Sequence, residues 1–291
     1  MIRRPPRSTL SSSSAASDVY KRQMDRRHFL IKGASFLVGT LCGVSGFSKV
    51  FACGTGRLHE GIQRRIALII DDIGFSLGRA RQFLDLNVPI TYAVLPKVVH
   101  SQHLAGEIHD CGHEIMLHQP MEPYDHEVDP GPGALYVGDK SEKIMKVMAE
   151  NISEIPFATG VNNHMGSRFT SCPKEMGEVL QVVKENNLFF VDSLTSSRSM
   201  AYETARRLNV TAACRNIFLD TQIDEAAILR QLFRLRMQAV RYGRAIGIGH
   251  PFPETARAVG RFVKTLKDPQ ISLVYISDLL VYEEDQPVLS R

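Results

Sequence analysis

Between Arg65 and Ile276, short apolar runs alternate with longer stretches whose apolar positions recur at helical spacing. Ile66-Ala-Leu-Ile-Ile70 is unbroken, rich in β-branched residues and too short for a helix, so it predicts a strand buried on both faces. The same reasoning predicts strands over Pro89–Leu95, His113–Leu117, Ala158–Asn162, Leu188–Val191, Val210–Leu219, Ala245–Ile248 and Ile271–Ile276. Helices are expected between them, over Ser76–Leu86, Ser101–Cys111, Ser141–Ile155, Lys174–Asn187, Ser199–Leu208, Asp224–Tyr242 and Pro253–Lys267. The stretch from Gln119 to Gly138, rich in proline and glycine, is irregular and long enough to have a substrate role. Seven or eight β/α units with short connections and no composition break describe one α/β domain with a parallel sheet. A barrel or deformed barrel suits the count, and an open doubly wound sheet is the second choice. No glycine-rich phosphate loop follows any strand, so a nucleotide site is not expected.

Composition changes little: 44% hydrophobic and 23% charged residues over 291 positions suffice for an ordinary globular core. The location of the charge matters more than its sum. The net charge of +4 comes from the N-terminus, through Arg3, Arg4, Arg7, Lys21 and Arg22 and then Arg26, Arg27, Lys32 and Lys49. The rest of the chain is net acidic, which argues against a nucleic-acid partner. Residues 1–23 lack periodicity and resemble a translated sequencing adapter, a non-native tail. Asp25-Arg-Arg-His-Phe-Leu-Ile-Lys32 resembles a twin-arginine signal. An apolar, glycine-interrupted run to Phe47 and a small-residue site at Val50-Phe-Ala52 follow it, so 24–52 is expected to be an export peptide. Residues 53–64 then form a linker, 65–282 the domain and 283–291 a loose tail. Lipidation of Cys53 is the alternative to plain cleavage, and the expected location is the periplasm or cell envelope. Cys111, Cys172 and Cys214 have no metal-like spacing and are expected to be small buried residues, with room for one bridged pair.

Candidate chemistry sits where the strands end. Asp71-Asp72 follows the first strand, and two adjacent acids there are costly to desolvate without a positive or protic partner. Later strand ends carry His118, His164, Asp192-Ser193 and His250. In parallel barrels chemistry collects at this rim. Imidazoles and carboxylates with an open position are what a catalytic divalent metal requires. Each residue alone also fits a helix cap or a solvated side chain; it is their recurrence on successive strands that points to a site.

Five ordered motifs resemble those of the divergent polysaccharide deacetylases, relatives of the NodB-type carbohydrate esterases. They are Ile69-Ile-Asp-Asp-Ile-Gly74, Gly112-His-Glu-Ile-Met-Leu-His118, Asn163-His-Met-Gly-Ser167, Val191-Asp-Ser193 and Gly249-His-Pro251. The resemblance runs from about Arg65 to Tyr282. It implies a deformed (β/α) barrel of about seven strands, a divalent metal (zinc the expected ion) and hydrolysis of an acetyl group on a sugar. By motif, Asp71 resembles the base, Asp72 the metal-binding acid and His118 the first metal histidine. His250 resembles the proton donor to the leaving group, and Asp192 an acid that orients a catalytic side chain. Asn163, Ser167 and Ser193 fall where substrate contacts are expected. The family's second metal histidine, four positions after the first, is Glu122 here; either Glu122 or, by preference, His164 completes the metal set. The Arg-x-Pro-Tyr motif is replaced by Asn162-Asn-His-Met-Gly-Ser-Arg168. The expected partner is a polysaccharide or glycan, with membrane contact only through the export signal or lipid at Cys53. A metal- or glycan-binding envelope protein without turnover is the alternative; a glycoside hydrolase is a weaker third reading.

Overall fold

The computed structural model describes residues 63–284. The non-native tail, the export peptide, nearly all of the 53–64 linker with Cys53, and residues 285–291 lie outside them. The chain runs β1 (Arg64–Ile73), α1 (Leu77–Leu84), β2 (Thr91–Val94), α2 (Ser101–Asp110) and β3 (Glu114–Met121). It continues through α3 (Ser141–Glu154), β4 (Ala158–Met165), α4 (Pro173–Glu185), β5 (Phe189–Asp192), α5 (Ala201–Arg207), β6 (Ala212–Cys214) and β7 (Ile217–Phe218). It ends with α6 (Glu225–Tyr242), β8 (Arg244–Gly249), α7 (Pro253–Thr265), β9 (Ile271–Val274) and α8 (Ile276–Glu284). Local chemistry sets several helix ends. Ser76 and Asp224 cap α1 and α6 by accepting the Arg79 and Ala227 amides, and proline opens α4 and α7. Gly243, at φ 83°, stops α6 in the left-handed conformation that glycine adopts without strain.

All strands pair in parallel, in the order β6-β5-β4-β3-β2-β1-β8-β7. β9 pairs with the first half of β1, and β2 with the second half. The two edge strands, β6 and β7, are separated only by Arg215 and Asn216. The Arg215 N–H donates to Asp192 on β5 at 3.0 Å, and the Asn216 N–H donates to Ile246 on β8 at 2.9 Å. Two consecutive residues thus bond to opposite ends of the sheet, so the sheet must curl round. The result is the deformed (β/α) barrel that the alternation predicts, and the single strand expected over Val210–Leu219 is broken at its seam.

Strand alternation divides the core in two. Ile66, Leu68 and Ile70 of β1 face the helices, with Ile115, Leu117, Val161 and Phe190. Ala67 and Ile69 face inward, with Met116, Phe189, Val191, Ile246 and Ile248. Residues 66–70 are all inaccessible to solvent, as a strand covered on both faces must be. Ile276, Leu279 and Leu280 of α8 join the inner cluster and plug the end where the strands begin. The sequence pattern read part of α8 as strand and loose tail. Its start is fixed tertiarily: the buried Glu114 carboxylate accepts the Ile276 and Ser277 amides and the Thr91 hydroxyl. With one end plugged, only the end where the strands finish is open to chemistry. Among the described residues Cys111, Cys172 and Cys214 are unbridged, and against expectation none is fully buried: Cys111 is exposed and the other two are half-buried.

Candidate metal and acid–base site

Inward parity carries Asp71, His118, Asn162, His164, Ser193 and His250 to that open end, because each continues the in-facing series of its strand. Asp72 has the opposite parity and reaches the same place by a distortion. The β1–β2 register slips between Ile70 and Ile73, and Asp72 adopts φ 58°. This bulge with a left-handed residue turns adjacent carboxylates toward one point. Asp72 Oδ1 lies 3.1 Å from His118 Nε2, and Asp71 Oδ2 lies 3.7 Å from the same nitrogen. Met165 and Leu194, at φ 52° and 48°, are held left-handed on neighbouring strand ends. Such strained residues cluster where side chains must be aimed. Gly74, at φ 136°, lets the chain leave the bulge; a Cβ there would fall 2.4 Å from Val98 Cγ2.

His164 Nδ1 sits 2.9 Å from Asp72 Oδ1 and 3.1 Å from His118 Nε2. Asp72, His118 and His164 therefore present three ligand-type atoms at one point, all within 4.8 Å of each other. Asn162 fixes their chemistry. Its Nδ2 donates to Asp71 Oδ1 at 2.8 Å, which leaves Oδ1 to accept from His118 Nδ1 at 2.7 Å. A neutral His118 carries its proton on Nδ1 and turns the Nε2 lone pair toward Asp72 and His164. A cation at that point takes the place of the protons that the two imidazoles otherwise share with Asp72. One carboxylate oxygen and two imidazole nitrogens this close together are a donor set that suits a divalent cation.

Across the mouth, His250 is held by Asp220. Its Nδ1 lies 2.9 Å from Asp220 Oδ1, and its own amide donates to Oδ2 at 2.6 Å. Thr255 supplies a third hydrogen bond to this buried carboxylate at 2.9 Å. Burial opposes a charge on His250, but the Asp220 carboxylate outweighs it and pushes the imidazole up to about 10. With Nδ1 engaged, Nε2 is the nitrogen free to deliver a proton. Burial raises the Asp71 carboxyl above its usual range, against the pull of His118 and His250. For Asp72 burial acts the same way, but the His164 charge and the two imidazole hydrogen bonds win and hold it well below that range.

The remaining expected residues lie elsewhere. Asp192 shares outward parity with Phe190, so its carboxylate meets no imidazole: it accepts from Ser199 Oγ at 2.7 Å and from the Leu194 amide at 2.9 Å. The acid that holds His250 is instead Asp220, which the strand-end motifs of the sequence do not single out. It too ends a strand, in Asn216-Ile-Phe-Leu-Asp220, and that was the available signal. Glu122 stands apart from the three-atom cluster. Its carboxylate pairs with Arg168 at 2.7 Å and accepts the Val137 amide at 2.8 Å, tying the long loop to the end of β4. Asn163 is buried and holds the Ser193 amide at 2.9 Å, while Ser167 Oγ accepts the Tyr124 amide at 3.0 Å. Ser193 Oγ touches the network through Asn162 at 3.4 Å. Arg215, also unforeseen, is half-buried under this wall, donates to the Ser193 and Leu194 carbonyls and stacks over Phe218 at 3.7 Å. Burial lowers its guanidinium to about 10, against the attraction of Asp192 and Asp71.

Comparison with known proteins places this geometry. Residues 68–280 match the family model described as divergent polysaccharide deacetylase. This chain belongs to that family. A relative from Escherichia coli K12, described as uncharacterized protein YibQ, is 36% identical over 216 residues, covering 74% of this chain and 67% of the relative. A solved structure of an uncharacterized protein from Agrobacterium tumefaciens C58, ATU2773, superposes with TM-score 0.72 at 26% identity, over 76% of this chain and 90% of that one. A mutant of BA3943 from Bacillus anthracis, described as a CE4 family pseudoenzyme with restored enzymatic activity, superposes with TM-score 0.50 at 16% identity, over 75% and 68%. At that identity it shares the fold alone. The curled parallel sheet described above is thus the fold of this family as this sequence carries it.

Proposed function

We infer that the protein is a metal-dependent hydrolase that removes acetyl groups from a polysaccharide of the cell envelope or extracellular space. The observation carrying this reading is the convergence of Asp72, His118 and His164 beside a separate acid–base pair, Asp71 and the Asp220-held His250. Asp72, His118 and His164 would hold a divalent ion, zinc by ligand chemistry, which when bound supplies an acidified water and polarises the acyl oxygen. Asp71 takes the proton of the attacking water, with Asn162 holding one of its oxygens so that the other faces the cluster. His250 delivers a proton from Nε2 to the departing amine or alkoxide, a step worth about 10²–10⁴-fold. Asp220 keeps Nδ1 engaged and balances the imidazolium until that proton leaves. The apolar inner core and the α8 plug beneath exclude water from every side but the mouth. An N-terminal segment resembling a twin-arginine signal supports placing this chemistry outside the cytoplasm.

Purified protein tests this. Metal content is measured together with acetate release from acetylated sugar oligomers and aryl acetates, with and without chelator. Bound metal and chelator-sensitive acetate release, both lost in His118→Ala, are the expected results. Full metal content in His118→Ala would overturn the ligand set. Tightly bound metal with no turnover on any acetyl donor would overturn the enzyme in favour of a glycan-binding protein.

A further inference from the structure

Helix α6 carries an exposed apolar stripe on the side away from the barrel. Its buried side, Ala227, Ile228, Leu232, Leu235 and Ala239, covers the barrel. On the opposite side Phe233, Met237 and Val240 follow at i, i+4 and i+7, one stripe along the helix, with exposures of 38%, 63% and 39%. Tyr242, 65% exposed, closes the helix off the line of the stripe, with the Arg241 guanidinium 5.3 Å from its ring centre. Arginines 230, 234 and 241 flank the stripe, and none of them pairs with a carboxylate among the described residues. The helix has a single acid, Glu225, which is taken up by Arg257 and Arg261 of α7. Lys264 in α7 and Lys267 just past its end are exposed and add positive charge with no ion pair among the described residues; α7 is locked to α6 through the Phe233–Phe262 edge contact at 5.9 Å.

We propose that this face docks the domain on an anionic phospholipid surface. An apolar stripe bordered by arginines that have no carboxylate partner among the described residues matches the boundary between headgroups and acyl chains: the stripe enters and the guanidiniums stay with the phosphates. No helix among the described residues is long and apolar enough to cross a membrane, so the contact is superficial. A second copy of the chain is the weaker occupant, because an isologous contact would set these arginines against each other, and one helical stripe is narrow for the ~800 Å² per partner of a stable dimer. The Arg65 amide donates to Gly243 O at 2.9 Å, so the start of β1 lies beside the C-terminal end of α6. The catalytic mouth lies at the other end of the strands, directed away from that end.

Sedimentation of the full chain with vesicles tests this. Phosphatidylglycerol–phosphatidylethanolamine vesicles are compared with phosphatidylcholine, for wild type, Met237→Asp and a triple variant Arg230→Gln, Arg234→Gln, Arg241→Gln. Wild type is expected to prefer anionic vesicles and to release with salt. The triple variant should lose on the order of 100-fold in affinity, at about fivefold per arginine near a charged surface. Met237→Asp should weaken binding by at least about tenfold, since a charge must then enter the interface. All three should show the same thermal unfolding, as these side chains are exposed. Equal binding of wild type and variants, equal binding to phosphatidylcholine, or a dimer that Met237→Asp converts to monomer would each overturn the proposal. Metal content and acetate release are not read, so the outcome is separate from that of the proposed hydrolase.

Discussion

Replacing Asn162 by leucine would remove a side chain that hydrogen-bonds to both halves of the site. Asn162 is fully buried, accepts from His118 Nδ1 at 2.7 Å and donates to Asp71 Oδ1 at 2.8 Å. Leucine keeps the volume but leaves both partners without their hydrogen bond in a place water cannot reach. Each orphaned buried group costs about 1–3 kcal/mol, so the domain should lose ~2–6 kcal/mol of stability. Loss of the outer hydrogen bond also frees the His118 ring and its tautomer, which typically lowers metal affinity 10–100-fold, about 1.4–2.7 kcal/mol. The assay is competition for zinc or cobalt against a chromogenic chelator, with near-ultraviolet circular dichroism to establish the folded fraction. It needs no substrate, so it stands apart from the identity of the glycan. A cooperatively folded Asn162→Leu protein that binds metal within about threefold of wild type would refute the reasoning, since His118 would then need no fixing to serve as ligand.

The other expectations can be tested alongside. Asp220→Asn removes the charge that balances His250, and should cost about 10²–10³-fold in kcat/KM. In a His250→Ala background the same change should cost nothing further; a persistent effect would show that Asp220 acts by another route. Glu122→Gln breaks the Arg168 pair and should loosen the 119–138 loop to proteolysis while leaving metal affinity unchanged; a tenfold fall would make Glu122 a ligand. His113 is wedged between the Tyr92 and Tyr275 rings, and burial lowers its imidazole against the help of the Ile90 carbonyl. The folded state therefore binds the proton less well than the unfolded chain, so this contribution is complete above about pH 6.5 and is lost as pH falls through that value toward the lower folded one. Urea midpoints from pH 8 to 5 should decline less steeply in His113→Phe, and an identical slope would dismiss the assignment. Gly74→Ala should cost about 1–3 kcal/mol from its left-handed backbone alone. Val98→Ala should recover only the part due to the 2.4 Å contact, so a fully restored midpoint would show that strain contributes nothing.

What the chain determines by itself is periodicity. Apolar runs of strand length, helical spacing between them and polar residues just past each run are local properties, and they suffice for a parallel β/α barrel with chemistry at one rim. The alternation of strands extends this: Asp71 continues Ala67 and Ile69, His118 continues Met116, and His250 continues Ile246 and Ile248. Tertiary structure decided the rest. Asp72 faces the cluster only because β1 slips register against β2, and a bulge is a property of a strand pair rather than of either sequence. Asp192 and Asp220 look alike as acids ending strands. Pairing and parity turn the first outward to Ser199 and bring the second under His250. Barrel closure at Arg215-Asn216 and the start of α8 on Glu114 likewise rest on partners distant along the chain. Hydrophobic patterning is written residue by residue, whereas the aim of a buried side chain is set by what the folded sheet places beside it.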